Sequence, residues 1–314
     1  MSLKEERMKI IFFGSDDFAV TNLLALIKSG HRVMACVAPP DKEKGRGLKT
    51  SFPPVKECAL EHQIPVFQPE ALDDGFFLRE MQGFQSDLFV VIAYGKVLPK
   101  SLLSVPRLFS VNVHASLLPK YRGAAPINWA IINGERQTGV TVIKLNPRVD
   151  AGDVLSQIRL NIEDTDTAVT LREKLARLGA NLLSDTIQAV QAGRAPCVPQ
   201  DNKKVSFAPK LTKELGKIEW HHPAQRIHNL VRGLQPWPSA YTYYQGRLLK
   251  ILETEVVSGC EGCPGTVVRF VPSGFVVQTG EQGLCVKKVH WASGKAMRAQ
   301  DFIRGHRLER GTRF

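Results

Sequence analysis

The sequence predicts an α/β protein in which a doubly wound, mostly parallel sheet (a Rossmann variant) precedes a small β-barrel of the OB type. Residues 8–13 (MKIIFF) and 87–93 (DLFVVIA) are apolar runs, as expected of strands buried on both faces. The first run leads through Gly14 into a helix over 18–29 and a strand over 31–38, which is a βαβ unit. The barrel is predicted by five short strands between turns, at 241–244, 247–255, 265–271, 274–278 and 283–289.

Between these regions the periodicity of apolar residues predicts further elements. The expected helices cover 55–62, 76–84, 127–133, 165–193 and 223–232, and the expected strands cover 64–67, 111–114 and 138–145. Residues 39–54 read as a long polar loop, and residues 1–7 as a loose leader. We therefore expect a first domain over 1–195, a linker over 196–208 and a second domain over 209–314.

Composition favours a cytoplasmic globular protein. The 314 residues are 43% hydrophobic and 23% charged, no apolar run reaches the ~18–20 residues that span a bilayer, and the N-terminus lacks the apolar core of a secretion signal. The six cysteines show no disulfide framework, and Cys260 and Cys263 form a single CxxC without a second pair, so no metal is expected. The turn at Gly14 is not GxGxxG, which argues against a dinucleotide cofactor.

Positive charge is concentrated late in the chain. The formal net charge is +12, and residues 196–314 hold 18 Lys and Arg against 9 Asp and Glu. A basic excess on a small β-barrel favours an RNA partner. A solvated basic surface without a partner, or a sugar-binding barrel, is the alternative.

Asn112 and His114 are the first candidates for chemistry. They alternate with Val111 and Val113, so as parts of a strand they lie on one side of the pleat. An amide and an imidazole at a strand end can stabilise a developing oxyanion and transfer a proton. The alternative is a core histidine beside a turn-forming asparagine. A carboxylate, Asp150, closes the same segment.

The motifs around these residues resemble one family. N-x-H-x-S-L-L-P at 112–119, R-G-A-A-P-I at 122–127 and D-x-G-D at 150–153 are similar, in order and spacing, to those of the 10-formyltetrahydrofolate-dependent formyltransferases. The resemblance extends nearly end to end and is greatest to the bacterial members that act on methionyl-tRNA. Arg148, Val149 and Ala151 depart from the family's pattern.

The resemblance implies a reaction, two partners and a set of site residues. It implies formyl transfer from 10-formyltetrahydrofolate to methionyl-initiator tRNA in translation initiation, with Asn112, His114 and Asp150 as catalytic residues and without a metal. A monomer is expected, although no sequence feature sets the oligomeric state. Residues implied in folate binding are Ala93, Tyr94, Gly95, Ser116, Leu117, Leu118 and Pro119, and the turn over 116–119 is expected to expose backbone groups. Residues expected to bind tRNA are Lys42, Lys44, Arg46, Lys49, Lys287, Lys288 and Arg304.

Three other functions stay open at this point. The same three side chains could serve a formyltransferase for a small amine, such as a nucleotide sugar or glycinamide ribonucleotide. A related formyl hydrolase and a non-catalytic RNA-binding protein are the others. The basic loop at 39–54 and the basic C-terminal third favour the tRNA substrate over the small amines.

Overall fold

The structure is a computed structural model that describes residues 7–44, 49–292 and 294–314. Up to residue 208 the strands are β1 Lys9–Gly14, β2 Arg32–Val37, β3 Lys42–Lys44, β4 Lys49–Ser51, β5 Val66–Phe67, β6 Leu88–Ile92, β7 Phe109–His114, β8 Arg122–Gly123, β9 Gln137–Lys144, β10 Val154–Asn161 and β11 Phe207–Ala208. The helices are α1 Asp17–Lys28, α2 Pro54–Glu61, α3 Gly75–Gly83, α4 Lys100–Leu103, α5 Pro126–Ile132 and α6 Ala168–Gln191.

A seven-stranded sheet forms the centre of this part, in the order β10-β9-β7-β6-β1-β2-β5. The five strands that lie side by side as β7-β6-β1-β2-β5 run parallel, and β9 pairs antiparallel with β7. The chain moves outward from β1 to β5 on one side and then from β6 to β7 on the other. The order therefore reverses between β1 and β6, the place where doubly wound sheets bind ligands at the carboxyl ends of their strands.

The predicted strands are apolar because both faces of the sheet are covered. All five residues of β6 are buried, and so are Ile10 to Gly14 in β1. Asp16 caps α1 by accepting a hydrogen bond from the amide of Ala19 at 3.2 Å, which satisfies one of the free amides of the first turn. Helix α1 then returns the chain across the sheet. The predicted α/β fold class is confirmed.

Several elements up to residue 208 differ from the prediction, and the short elements α4, β8 and β11 were not predicted. The segment 39–54 is not wholly irregular, because β3 and β4 pair as a short antiparallel ladder. Strand β10 was missed; it lies at the edge of the sheet and has only one buried residue, Leu155. An edge strand that buries so little carries almost no periodic signal.

Residues beyond 208 form an antiparallel sheet and two helices. The strands are β12 Ala240–Tyr244, β13 Arg247–Val257, β14 Val267–Val271, β15 Gly274–Gln278, β16 Gly283–Trp291 and β17 Ala296–Arg298, and the helices are α7 Ala224–Gly233 and α8 Ala299–His306. The sheet order is β12-β13-β16-β15-β14, with β17 paired to β16. The five predicted strands are present. Strand β17 and helix α8, whose Phe302 is fully buried, were not predicted.

The chain divides into two compact units, and this division is not a simple cut. The first unit comprises the described residues up to Pro126, Thr138–Asn161 and Arg172–Ala208, and the second comprises Ile127–Gln137, Ile162–Leu171 and Pro209–Phe314. Residues 196–208, predicted as a linker, belong to the first unit. The predicted assignment of one role to each domain stays a prediction.

A buried arginine holds one of these inserted segments within the second unit. Arg232, in α7, donates from Nη1 to the carbonyl oxygens of Glu163 at 3.0 Å and Asp166 at 2.8 Å. Its Nη2 donates to Oδ1 of Asn229 at 2.9 Å. Trp129, in the other inserted segment, donates to the carbonyl of Pro209 at 2.9 Å. The second unit therefore combines residues 209–314 with two earlier segments of the chain, 127–137 and 162–171.

His228 gives this unit a pH-dependent stability. Burial, helped by the nearby Arg232 cation, lowers the pKa of His228 from 6.5 to about 4, while its Nδ1 lies 2.9 Å from Oγ1 of Thr254. Because the unfolded state binds the proton more readily, stability is complete above pH 6.5 and falls as the pH drops toward 4. We expect a loss of about 1–2 kcal/mol, since His228 is partly solvated. Urea titrations should show a flatter profile for His228→Gln over this window; an equally steep one would contradict the assignment.

Among the described residues, none of the helices combines the length and the apolar character that a transmembrane span requires.

Candidate active site

Asp150 meets Asn112 and His114 at the carboxyl end of β7. Its Oδ1 accepts a hydrogen bond from Nδ2 of Asn112 at 3.3 Å and lies 3.6 Å from Nδ1 of His114. Its Oδ2 accepts from the backbone amide of Gly123 at 2.9 Å. The side chains of His114 and Asp150 are 7% and 12% exposed. The structure therefore brings together the three residues that the sequence singled out, although Asp150 follows His114 by 36 positions.

The hydrogen bonds of His114 define which of its nitrogens is available. Nε2 lies 2.8 Å from the carbonyl oxygen of Tyr121. A carbonyl oxygen can only accept, so Nε2 carries the proton of the neutral ring. Nδ1 then presents its lone pair on the side of Asp150. Proton exchange is therefore confined to Nδ1, and an imidazolium formed there faces a carboxylate.

The loop that carries Asp150 is closely packed against β9. Asp150 has a φ of +48°, in the left-handed region that L-residues rarely adopt. At Gly152 an added Cβ would lie 1.7 Å from the carbonyl oxygen of Lys144, so no larger residue fits. The departures from the family pattern leave this loop intact. Arg148 and Val149 are exposed. Ala151 is bonded only through its backbone, whose amide donates to the carbonyl of Arg148 and whose carbonyl accepts from Asn146, and any residue supplies these groups.

The backbone of the segment Ser116–Pro119 is held by hydrogen bonds to side chains of β9 and β10. Thr141 Oγ1 donates to the carbonyl of Ser116 at 2.7 Å and accepts from the amide of Leu118 at 3.2 Å. Gln157 donates to the carbonyl of Leu118 at 2.9 Å. We expected this turn to expose its backbone groups. That expectation is wrong for these groups, because β9 and β10 supply partners for them. The side chains of Leu117 and Pro119 are half-buried.

Ala93, Tyr94 and Gly95 follow β6 at the point where the strand order reverses. The Tyr94 ring packs edge-on against Phe13 with centroids 5.6 Å apart, and burial raises the pKa of Tyr94 to about 12. Ala93 and Gly95 are exposed and have positive φ values, and the Ala93 carbonyl accepts a hydrogen bond from the Ser15 hydroxyl. The tyrosine side chain is thus core, and the backbone beside it faces outward.

The basic residues expected to bind tRNA differ in what the structure shows of them. Arg46 lies outside the described residues, and Lys44 and Lys49 are described only by their backbone in β3 and β4. Lys42 and Lys288 are exposed. The other two are held by carboxylates of their own unit: Lys287 pairs with Glu255 at 2.7 Å, which raises the pKa of Lys287, and Arg304 pairs with Asp301 at 2.6 Å.

Residues 200–208 contact the site, and sequence reasoning did not find them. Gln200 Nε2 donates to the carbonyls of Asp150 at 2.9 Å and Gly152 at 2.7 Å. Strand β11 pairs in parallel with β8, and the Ser206 hydroxyl accepts from the amide of Tyr121 at 2.9 Å. These contacts join positions 48 or more residues apart and involve backbone atoms, so no local spacing could have revealed them.

The arrangement suits proton transfer beside a carbonyl group that is under attack. Asn112 has a second N–H for a developing oxyanion, Nδ1 of His114 can take and return a proton, and Asp150 can stabilise the resulting cation. Among the described residues, no group of three or more His, Cys, Asp or Glu side chains could hold a metal ion. The fold and site define an α/β protein with an amide–imidazole–carboxylate centre at the mouth of a parallel sheet.

Comparison with known proteins identifies the family. Residues 8–187 match the formyl transferase model and residues 210–307 match the formyl transferase C-terminal domain. The chain is 44% identical to the methionyl-tRNA formyltransferase of Caldanaerobacter subterraneus subsp. tengcongensis over 97% of this chain and 99% of that protein. It is 40% identical to the protein of the same name from Clostridioides difficile, over 97% and 99%. The chain therefore belongs to the formyl transferase family, as its motifs predicted.

Solved structures of low sequence identity share the fold. HypX from Aquifex aeolicus in complex with tetrahydrofolic acid superposes with a TM-score of 0.67 at 15% identity, over 95% of this chain and 47% of that chain. The chain thus spans about half the length of HypX. The sugar 3N-formyl transferase WlaRD, in the presence of dTDP and 5-N-formyl-THF, superposes with a TM-score of 0.66 at 19% identity, over 90% and 98%.

Proposed function

We propose that this protein transfers the formyl group of 10-formyltetrahydrofolate to the α-amino group of methionyl-initiator tRNA, as a cytoplasmic enzyme of translation initiation. The observation that carries the chemistry is the convergence of Asn112, His114 and Asp150 at the carboxyl end of the sheet. The acceptor is supported by relatives of that name, which align over almost the whole length of both chains.

The reaction follows from the positions of the three side chains. The α-amino nitrogen attacks the formyl carbon, and negative charge develops on the formyl oxygen. The second N–H of Asn112 donates to that oxygen, since the first is directed at Asp150. Nδ1 of His114 accepts the proton lost by the attacking nitrogen. The imidazolium is stabilised by the Asp150 carboxylate at 3.6 Å.

Collapse of the intermediate uses the same proton. The bond between the formyl carbon and N10 breaks, and Nδ1–H of His114 donates to N10 as it leaves. His114 returns to the neutral ring with its proton on Nε2, and the proton lost by the amine ends on tetrahydrofolate. His114 cannot donate to the oxyanion while it is neutral, because its single N–H is bonded to Tyr121. Oxyanion stabilisation in the early step therefore falls mainly to Asn112.

The proposal assigns the folate to the point where the strand order reverses. The exposed backbone at Ala93 and Gly95 faces the ligand side of β6, and Leu117 adds an apolar contact. For the tRNA, the proposal assigns the loop at 39–54, including Arg46, and the exposed Lys288 of β16. Lys287 and Arg304 would have to exchange a carboxylate partner for a phosphate, so their contribution should be smaller.

A competition between acceptors tests the proposal. The protein is given 10-formyltetrahydrofolate with methionyl-initiator tRNA, methionine amide or a nucleotide-sugar amine. We expect formylation of the charged tRNA, with a kcat/KM that falls steeply as salt rises, because Lys and Arg contacts to phosphates release counterions. A higher kcat/KM for the sugar amine would reassign the protein to small amines, and tRNA binding without transfer would make it a non-catalytic binder.

Two variants distinguish a specific contact of the basic loop with the tRNA from a general effect of positive charge. Arg46→Ala should lower kcat/KM for the tRNA and reduce its salt slope by about one. Lys28→Ala removes an equal charge at the end of α1, just before β2 begins and so at the amino ends of the parallel strands, whereas the site lies at their carboxyl ends. Lys28→Ala should leave both kcat/KM for the tRNA and its salt slope unchanged. Equal effects of the two variants would count against a specific loop contact.

A further inference from the structure

Asp150 is held in place by a side chain that the predicted reaction does not use. The amide nitrogen of Gln200 donates two hydrogen bonds to the loop, at 2.9 Å to the carbonyl of Asp150 and at 2.7 Å to that of Gly152. Both N–H groups of one amide are thus directed at the two carbonyls that flank Ala151. This clamp acts on the loop residue whose φ of +48° is itself unfavourable.

Gln200 is in turn oriented by a buried cation. Its Oε1 accepts from Nε of Arg122 at 3.0 Å and from Nη2 of the same guanidinium at 2.7 Å. Two donors on one acceptor decide which way the amide points, so its nitrogen must face the Asp150 loop. Arg122 is 9% exposed, and burial together with the neighbouring Arg148 cation lowers its pKa.

The carboxylate of Asp150 is held by β8, the strand that contains Arg122. Gly123, directly after Arg122, donates its amide to Oδ2 of Asp150 at 2.9 Å. Strand β8 therefore anchors the carboxylate through Gly123 and the loop backbone through Arg122 and Gln200. A shift of the loop would change the 3.6 Å separation between Oδ1 and Nδ1 of His114.

We propose that Gln200 is a positioning residue for the formyl transfer, which it serves by fixing Asp150 against Nδ1 of His114 through the relay Arg122–Gln200–Asp150. This inference rests on the proposed function for its kinetic consequence but not for its structural one. Gln200 touches no reacting atom. It acts by keeping the carboxylate where the imidazolium forms, so its removal should weaken that charge pair.

Comparing two substitutions of Gln200 isolates the two hydrogen bonds that it donates to the loop. Gln200→Met retains the length of the side chain and removes all its hydrogen bonds. Gln200→Glu retains an acceptor for Arg122 but cannot donate to the carbonyls of Asp150 and Gly152. Both should lower kcat about 10–100-fold with KM for folate and tRNA changed less than about threefold, because a misplacement of ~1 Å costs about this much. Restoring activity in Gln200→Glu alone would show that the bonds to the loop are dispensable.

The imidazole of His114 supplies a readout that needs no substrate. In protein isotopically labelled at histidine, the NMR shifts of the His114 ring nitrogens should differ from those of the parent in both Gln200 variants, since the displaced carboxylate changes the surroundings of Nδ1. Asp150→Asn should change these shifts as well. This measurement stands even if methionyl-tRNA proves not to be the acceptor, so failure of the inference and failure of the proposed function are distinguishable.

Gln68 provides a matched control in the same unit. Its Nε2 donates to the carbonyl of Pro39 and its Oε1 accepts from Nζ of Lys56, both at 2.7 Å. Gln68→Met should lose a comparable amount of stability while kcat and the NMR shifts of the His114 ring nitrogens stay at the parent values. The inference is overturned if the folded Gln200→Glu variant retains the parent kcat and the parent NMR shifts of the His114 ring nitrogens, or if Gln68→Met changes both as much.

Discussion

His114→Ala is expected to lower kcat by about 10²–10⁴-fold, the range for loss of a general acid–base group. The variant loses the one lone pair, at Nδ1, that can take the proton from the attacking amine and return it to N10. Binding of folate and of tRNA should persist, because the ring is buried between Tyr121 and Asp150 and presents little surface to either ligand. Single-turnover rates with saturating substrates, together with Kd values, measure this.

The pairing of His114 with Asp150 predicts a non-additive result. Asp150→Asn should also lower kcat strongly, and the double variant should be about as slow as His114→Ala alone, since residues that act as a unit lose their joint effect once. His62→Ala is a fitting control, because His62 also bonds a carbonyl through a ring nitrogen, that of Cys58 at 2.9 Å. Multiplicative losses in the double variant, or His114→Ala within threefold of the parent, would remove this pair from the mechanism.

Arg232→Met is expected to destabilise the second unit by about 3–5 kcal/mol, because three acceptors lose this donor and each buried unsatisfied group costs about 1–3 kcal/mol. The carbonyls of Glu163 and Asp166 would lose their donors at 3.0 and 2.8 Å. The segment 162–171 would then be released from α7. All four tryptophans, at 129, 220, 237 and 291, belong to this unit, so their fluorescence in urea reports on its unfolding.

A variant in the same helix controls for loss of charge. Arg226 is exposed on α7, and Arg226→Met should change the free energy of unfolding by less than about 0.5 kcal/mol, the usual range for surface positions. If the two variants were equally stable, the inserted segment would not depend on the arginine. Formylation by Arg232→Met at low temperature should remain, because Arg232 contacts neither folate nor the three catalytic candidates in the proposed reaction.

Much of the fold of the first unit can be predicted from the local pattern of apolar residues in the sequence. The buried strands β1 and β6 are apolar throughout because helices or loops cover both faces, and this leaves an unmistakable run in the sequence. Asn112 and His114 were identifiable because alternation places them on one side of β7. The edge strand β10 and the helix α8 were not predicted, since each buries only one or two side chains.

By itself, the sequence determined the fold class, the family and the three residues at which the chemistry is proposed, because periodic burial and closely spaced motifs are local properties of the chain. Only the tertiary structure decided how those residues are held. The donor from Gly123, the carbonyl of Tyr121 that leaves Nδ1 free to exchange a proton, and the Gln200 clamp all join distant segments. Backbone amides and carbonyls are the same at every residue, so contacts made through them leave no mark on the sequence until the chain has folded.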